Sequence, residues 1–376
     1  MTFKILSLDG GGIRGVLSAT ILQEIEKTLI ERKKPGLHEY FDLIAGTSTG
    51  SILAAAIACK KQADELVKLY NDEGKNIFLE QVRWQRKWRW LGKLIASKAL
   101  YPHSRGNKGL SEVLKRQLID KTLNKCPKIG EIDRPNLLLL AYDVFSRNTT
   151  WFANDDPTEW YNDIELWEIC TASASAPTFF PPYKLLFRST DQFLPHIDGG
   201  VSANNPELVA IAHALSMQTK KQPQPKINEI AVLSIGTGQT TRPYTYDQIK
   251  NWGLLEWVKN IPNIFLNPSA ENSQYISKRI FLSIGLQHYL RLDFALNEWF
   301  EERKSEKLPQ LLNTPYNKYI YKKTQERKQI SEDIDNPDIC QVLIEAAQCY
   351  LEYGKVGYNG QQVPVKSAIQ QFIDSH

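Results

Sequence analysis

Hydrophobic and polar positions alternate between two rhythms near the start of the chain. Phe3–Leu8 is a short, nearly continuous apolar run, the pattern of a strand buried on both faces. It stops at Asp9-Gly10-Gly11-Gly12. Beyond that, Val16, Leu17, Ile21, Leu22, Ile25 and Leu29 recur at helical spacing, which predicts a helix over 14–32 that stops before Pro35-Gly36. A second apolar run at 41–45 leads into Gly46-Thr47-Ser48-Thr49-Gly50 and a small-residue helix predicted over 51–60. Strand, glycine turn and helix thus occur twice in succession, which points to an α/β sheet with parallel strands.

The later pattern extends this picture. The runs 137–142 and Ile230–Ile235 suit interior strands. Pro177, Pro181 and Pro182 make 176–182 a rigid loop, because proline blocks both helix and central strand. A helix is expected over 204–218, with Asn204 or Asn205 as its cap and Pro206 in its first turn. From 301 to 328 the chain is strongly charged, and 337–353 and 365–373 read as two closing helices. With no internal repeat and no low-complexity linker, the expectation is one domain over 1–300 with a C-terminal helical extension, 301–376, packed on it.

Composition narrows the class. The chain has 376 residues, 42% of them apolar, enough for a sizeable core. The longest apolar runs, 52–59 and 137–142, are far too short to span a bilayer. The N-terminus has no basic stretch followed by an apolar core and a small-residue cleavage site. Five cysteines, odd in number and widely spaced, show no metal-ligand or redox spacing, so reduced thiols are expected. A soluble, cytoplasmic protein is the expectation. The net charge of +4 is local: residues 83–98 contain six cations and no acid, so the remainder carries a net −2. A nucleic-acid polymer is therefore not implied as partner.

Three motifs carry candidate chemistry. Gly46-x-Ser48-x-Gly50 lies between a strand and a helix, where a tight turn holds a serine oxygen clear of the backbone and flanking glycines relieve the crowding. Thr47-Ser48-Thr49 as a plain helix cap is the competing reading. Asp9-Gly10-Gly11-Gly12-Ile13-Arg14-Gly15 exposes several backbone N–H groups at a helix start, suited to the negative charge of a tetrahedral intermediate. Gly10, Gly12 and Gly15 also fit the dinucleotide fingerprint. That reading needs an acid at the end of the second strand, where Ala45-Gly46 stands instead. The loop also lacks the Lys-Ser/Thr pair of a P-loop. The third motif is His196-Ile197-Asp198-Gly199-Gly200. A serine nucleophile needs a base, either histidine or carboxylate. His196, His213, His288 and His376 all lack a supporting context, whereas Asp198 opens a glycine turn; a turn aspartate that only caps backbone amides is the bland alternative.

In this order the three motifs resemble the patatin-like phospholipases, plant and bacterial. The similarity continues through 171–182, 234–238, 252–257 and 289–293; it is strong over 4–210, fair to about residue 300 and weak beyond. The resemblance implies a three-layer α/β/α sandwich with a mainly parallel central sheet. It implies Ser48 as nucleophile, Asp198 as its base without histidine, and Gly10, Gly11, Gly12 and Arg14 as the oxyanion-hole loop, with Gly46 and Gly50 framing the serine. No cofactor or calcium is implied, and the substrate class is the acyl esters of phospholipids or galactolipids.

A further segment suggests how lipid is reached. On a helix, Trp84, Trp88, Leu91 and Ile95 form one apolar stripe, with Arg86, Arg89 and Lys93 on the far side, the pattern of an interfacial helix on an anionic membrane. The competing reading packs the stripe on the domain. Some bacterial patatin-like proteins of similar architecture are switched on by cyclic nucleotides. The alternative function is therefore a ligand-gated, membrane-degrading effector, with the basic stretch 318–328 as a conceivable anion site.

Overall fold

The computed structural model describes residues 2–87, 100–217, 224–239, 244–297 and 330–376. In chain order, β1 (Phe3–Leu8) runs through a 3₁₀ turn at Gly12–Arg14 into α1 (Gly15–Glu31), α2 (Leu37–Tyr40), β2 (Leu43–Thr47) and α3 (Thr49–Ala58). Then come α4 (Ala63–Ile77), α5 (Glu80–Lys87), α6 (Leu110–Gln117), β3 (Asn136–Asp143), β4 (Asn148–Ala153) and α7 (Leu166–Ser173). β5 (Tyr183–Phe187), β6 (Gln192–Asp198), α8 (Gly200–Ala203), α9 (Glu207–Ser216), β7 (Ile230–Ile235), α10 (Tyr246–Ile249), α11 (Leu254–Ile284) and β8 (Tyr289–Leu292) follow. The chain closes with α12 (Cys340–Tyr353), the hairpin β9 (Lys355–Tyr358) and β10 (Gln361–Pro364), and α13 (Val365–Ser375).

The main sheet has the order β5-β6-β3-β2-β1-β7-β8, with β4 also paired to β3. β3, β2, β1, β7 and β8 run parallel, while β4, β5 and β6 are antiparallel additions. The continuous apolar runs are explained by burial of both faces. Leu6, Leu8, Ile44, Leu137, Leu139, Leu233 and Ile235 face one core with α1, α3, α4, α12 and α13. Ile5, Leu43, Ala45, Leu138, Leu140, Ile230 and Val232 face the other with α9 and Phe281 of α11. This is the three-layer α/β/α architecture with a mainly parallel sheet.

Some details differ from the sequence reading. The second strand starts at Leu43, because Leu37–Tyr40 forms a helical turn that Phe41 closes. The helix expected over 204–218 is Glu207–Ser216, with Pro206 at its cap position and Asn205 Oδ1 accepting from Glu207 N–H at 3.0 Å. All five cysteines are free and buried. No helix among the described residues is long and apolar enough to cross a membrane.

The cationic aromatic segment is described only through Lys87. Trp84 on α5 is 61% exposed. Arg86, expected on the solvated far side, instead turns inward: its guanidinium lies 4.4 Å from the Phe179 ring centroid and donates to Thr178 O at 2.5 Å. A weakly hydrated planar cation stacks on aromatic faces more readily than it is solvated there. Trp88, Leu91, Ile95, Arg89 and Lys93 lie outside the described residues, as do 301–328.

Candidate active site

The site is built where β2 ends. Ser48 caps α3 at φ 55°, ψ −119°, in the left-handed half of backbone space that a β-carbon disfavours. The flanking glycines make this turn possible. A β-carbon on Gly46 would lie 2.4 Å from Gly50 O, and one on Gly50 would lie 2.0 Å from Leu8 O. The turn is held from below: Ser48 N–H donates to Ser173 Oγ at 2.9 Å, and Ser173 Oγ donates to Leu140 O at 2.5 Å. Ser51 Oγ, 2.7 Å from Ser173 Oγ, ties the same knot to Gly46 O at 2.7 Å.

Asp198 arrives through strand register. β4 occupies one edge of β3. The other edge pairs with β2 as far as Leu140↔Thr47, and with β6 from Ala141↔Asp198 onward. Asp198 therefore enters the ladder one position beyond the last residue of β2, where the chain has just turned away through Ser48. Gly199 is needed here, since a β-carbon on it would lie 2.3 Å from Leu140 O. Ser48 Oγ donates to Asp198 Oδ2 at 2.6 Å, and Asp198 Oδ1 accepts from Gly200 N–H at 2.7 Å. Burial pushes the Asp198 carboxyl up to about 6, against the lowering effect of these two bonds.

The histidines stand elsewhere. His196 shares a face with Asp198, but its Nδ1 donates to Leu194 O, which leaves Nε2 to accept from Thr150 Oγ1 at 3.0 Å. His213 faces Asp155 at 3.2 Å, and His288 lies against His376. The position that a histidine base would take beside Ser48 is held by Asp198.

The glycine loop lies against the serine: a β-carbon on Gly10 would come within 3.2 Å of Ser48 Cβ. Its entry is fixed by Gly10 N–H donating to Asn204 O at 3.0 Å, and by Thr237 Oγ1 donating to Gly10 O at 2.9 Å. Its exit is fixed by Ile13 N–H donating to Ile334 O at 2.8 Å and by Arg14 N–H donating to Gly11 O at 3.2 Å. Gly12, at φ 58°, makes the turn between them. Among the described residues the amides of Gly11 and Gly12 find no acceptor. Gly10 thus serves close approach, while the two following glycines carry the free donors.

Asp9 anchors the loop to the sheet. Arg291 on β8 grips it with both terminal nitrogens, at 2.8 and 2.5 Å, and reaches Asp293 Oδ2 at 3.1 Å. Burial works against the Arg291 charge, but Asp9 and the neighbouring carboxylates outweigh it and hold the guanidinium above its ordinary range. Arg14 is also buried; its Nε and Nη1 have no hydrogen-bond partner among the described residues, and burial lowers its affinity for the proton, opposed by Asp293 and Glu332. Sequence reasoning gave no role in the site to Arg291, Ser173 or Thr237, and read Asn204 only as a candidate helix cap. The 171–182, 234–238 and 289–293 blocks that contain Ser173, Thr237 and Arg291 were visible as similarity, but not as contacts. Among the described residues no group of three or more His, Cys, Asp or Glu side chains is placed to hold a metal ion.

Sheet and turn together define an α/β/α protein with a serine–carboxylate pair at the carboxyl end of its parallel strands, faced by free backbone donors. The model of the family described as patatin-like phospholipase matches residues 6–211, more than half of the chain. Over 319 residues the chain is 30% identical to patatin-like protein 4 of Arabidopsis thaliana, covering 77% of this chain and 75% of that one. It is 29% identical over 321 residues to patatin-like protein 1 of the same plant (77% and 73%), and 30% over 318 residues to patatin-like protein 1 of Oryza sativa subsp. indica (77% and 73%). Among solved structures, human GIVD cytosolic phospholipase A2 aligns at TM-score 0.42 and 12% identity, over 100% of this chain and 58% of that one. The chain belongs to the patatin-like phospholipase family and is a lipid acyl hydrolase by that membership.

Proposed function

We propose that this protein cleaves fatty-acyl esters of membrane phospholipids or galactolipids through an acyl-enzyme on Ser48, with Asp198 as its base. The observation that carries the reading is the 2.6 Å bond from Ser48 Oγ to Asp198 Oδ2 at a strained strand-to-helix turn. In the first step Ser48 Oγ attacks the ester carbonyl carbon while its proton passes to Asp198. The carbonyl oxygen gains negative charge, which the Gly11 and Gly12 amides receive; each good donor of this kind is worth about 3 kcal/mol in other serine hydrolases. The positive end of α3 points at the same centre. Asp198 then gives its proton to the departing alcohol oxygen. A water attacks the acyl carbon, with the same carboxylate taking its proton; the Ser48 Oγ–acyl bond then breaks as Asp198 returns that proton to Ser48 Oγ, and the fatty acid leaves.

Burial makes this base stronger than a solvent-exposed aspartate. A carboxyl near 6 holds a proton far better than one at 3.8, yet is mostly ionised at neutral pH. The attacking oxygen is a side chain and its proton acceptor a carboxylate, so the step needs no metal-activated water. Purified protein incubated with phospholipid and galactolipid vesicles in EDTA is expected to release fatty acid. Its kcat/KM rises with pH through about 6 and then levels, because the ionised form of Asp198 is the active one. A profile flat from pH 5 to 8, or release that stops in EDTA and returns with calcium, contradicts the assignment. Vesicles in the same assay also show whether the protein works as a peripheral protein at the membrane surface.

A further inference from the structure

Outside the span that the family model matches, Thr237 reaches the glycine loop at Gly10, and a second segment reaches it further along. Residues 330–338 cross it, and Ile334 O accepts from Ile13 N–H at 2.8 Å. The crossing is close: a β-carbon on Gly12 would lie 2.4 Å from the same oxygen. At one end the segment exchanges hydrogen bonds with Asn297, whose side chain accepts from Ile330 N–H and donates to Ile330 O, both at 2.8 Å. At the other end it is tied to α4, α5 and Tyr101. Asp335 Oδ2 accepts from Tyr101 Oη at 2.9 Å and lies 3.3 Å from Arg86 Nε. Asn336 Oδ1 accepts from Arg83 Nη1 at 2.7 Å, and Asp338 pairs with Arg83 at 2.5 Å and Lys75 at 3.2 Å.

These ties have a consequence for the two free donors. Asn204 O fixes the loop at Gly10 and Ile334 O fixes it at Ile13, so the Gly11 and Gly12 amides lie between two clamps. The first clamp comes from the chain segment that follows Asp198. The second comes from 330–338, which is held by Ile330 in the apolar core at one end and, beside Ile334, by polar bonds to α4, α5 and Tyr101. Asp335 is the residue next to Ile334, and both of its partners, Tyr101 and Arg86, come from beyond the loop.

We propose that residues 330–338 form a positioning strap, in which Asp335, through Tyr101 and Arg86, holds the Ile334 carbonyl on the glycine loop and so aims the Gly11 and Gly12 amides. The proposal rests on the hydrolase reading above. Asp335 and Tyr101 are positioning residues that touch no reacting atom. Displacing donors by a fraction of an ångström weakens their hold on the transition state more than their hold on substrate.

The test compares wild type with Asp335→Ala, Asp335→Asn and Tyr101→Phe, using p-nitrophenyl butyrate for activity and hydrogen exchange for the peptide covering residues 9–15. Asp335→Ala is expected to lower kcat about tenfold with KM within about twofold. Its exchange over 9–15 should rise while other core peptides stay protected. Asp335→Asn keeps an acceptor for Tyr101 and should recover part of kcat. Tyr101→Phe removes one hydroxyl with little change in packing and should fall between. Unchanged kcat in both Asp335→Ala and Tyr101→Phe, or unchanged exchange over 9–15, overturns the strap. A wild-type protein silent on every ester instead sinks the hydrolase reading; faster exchange over 9–15 in Asp335→Ala then still supports the strap's hold on the loop, and unchanged exchange overturns it.

Discussion

Ser48→Ala is expected to lower fatty-acid release by on the order of 10⁴-fold or more while leaving the protein folded. The hydroxyl is the attacking atom, and among the described residues no other side chain hydrogen-bonded to Asp198 carries a nucleophile in its place: Oδ1 is taken by the Gly200 amide. Alanine keeps the β-carbon, so the strained φ of 55° and the Ser173 bond to the backbone N–H of residue 48 persist. What changes in the fold is limited, since Asp198 loses one of its two hydrogen-bond donors, worth about 1.5–3 kcal/mol for a bond to a charged group. Release rates beside a thermal melt check both halves of the expectation. Loss of activity together with loss of the folding transition would show a structural defect rather than a missing nucleophile.

The second large effect separates activity from stability. Asp198→Asn should lower turnover about 10³- to 10⁴-fold, because an amide accepts no proton from Ser48. The same change should stabilise the fold at pH 8. Burial raises the Asp198 carboxyl from 3.8 to about 6, a penalty on the ionised form of about 3 kcal/mol. The sign follows from linkage: between these two values the folded protein binds the proton more tightly than the unfolded chain. Stability contributed by the protonated carboxyl is therefore full below about pH 4 and lost as pH rises through about 6. Asparagine can still accept from Gly200 N–H and can hydrogen-bond Ser48 without carrying a charge. Its melting temperature should exceed that of wild type at pH 8, with the gap closing toward pH 4. A lower melting temperature at pH 8 would mean that the buried carboxylate holds the fold together rather than straining it.

The sequence exposed what is local. β1 with its glycine loop and β2 with the Ser48 turn are each encoded within a few residues, because steric needs at Gly12, Gly46 and Gly50 act over that range. The alternation of Leu6 and Leu8 against Ile5, hidden in an apolar run, is resolved only once layers cover both faces of the sheet. Asp198 meets Ser48 across 150 residues because β2 and β6 share one edge of β3, a register that no local pattern specifies. The motif at 198–200 could mark the aspartate as accessible, but not as the partner of Ser48. The Asp9–Arg291 grip spans 282 residues and was invisible for the same reason. At α5 the helical pattern assigned faces by polarity, yet Arg86 packs against Phe179 and Asp335, groups that arrive from distant parts of the chain. The helix Leu254–Ile284 carries Pro262 and Pro268 in its interior, where proline is disfavoured, so local rules argue against the element that forms.

The central claim is that Ser48 becomes acylated with Asp198 as its base. A fluorophosphonate forms a stable tetrahedral adduct on a serine that attacks it, so peptide mapping by mass spectrometry reports the nucleophile directly. The account predicts one adduct on the peptide carrying Ser48, formed in step with loss of esterase activity, absent in Ser48→Ala and greatly slowed in Asp198→Asn. Full inactivation with Ser48 unmodified, or equal labelling in wild type and Asp198→Asn, would contradict it.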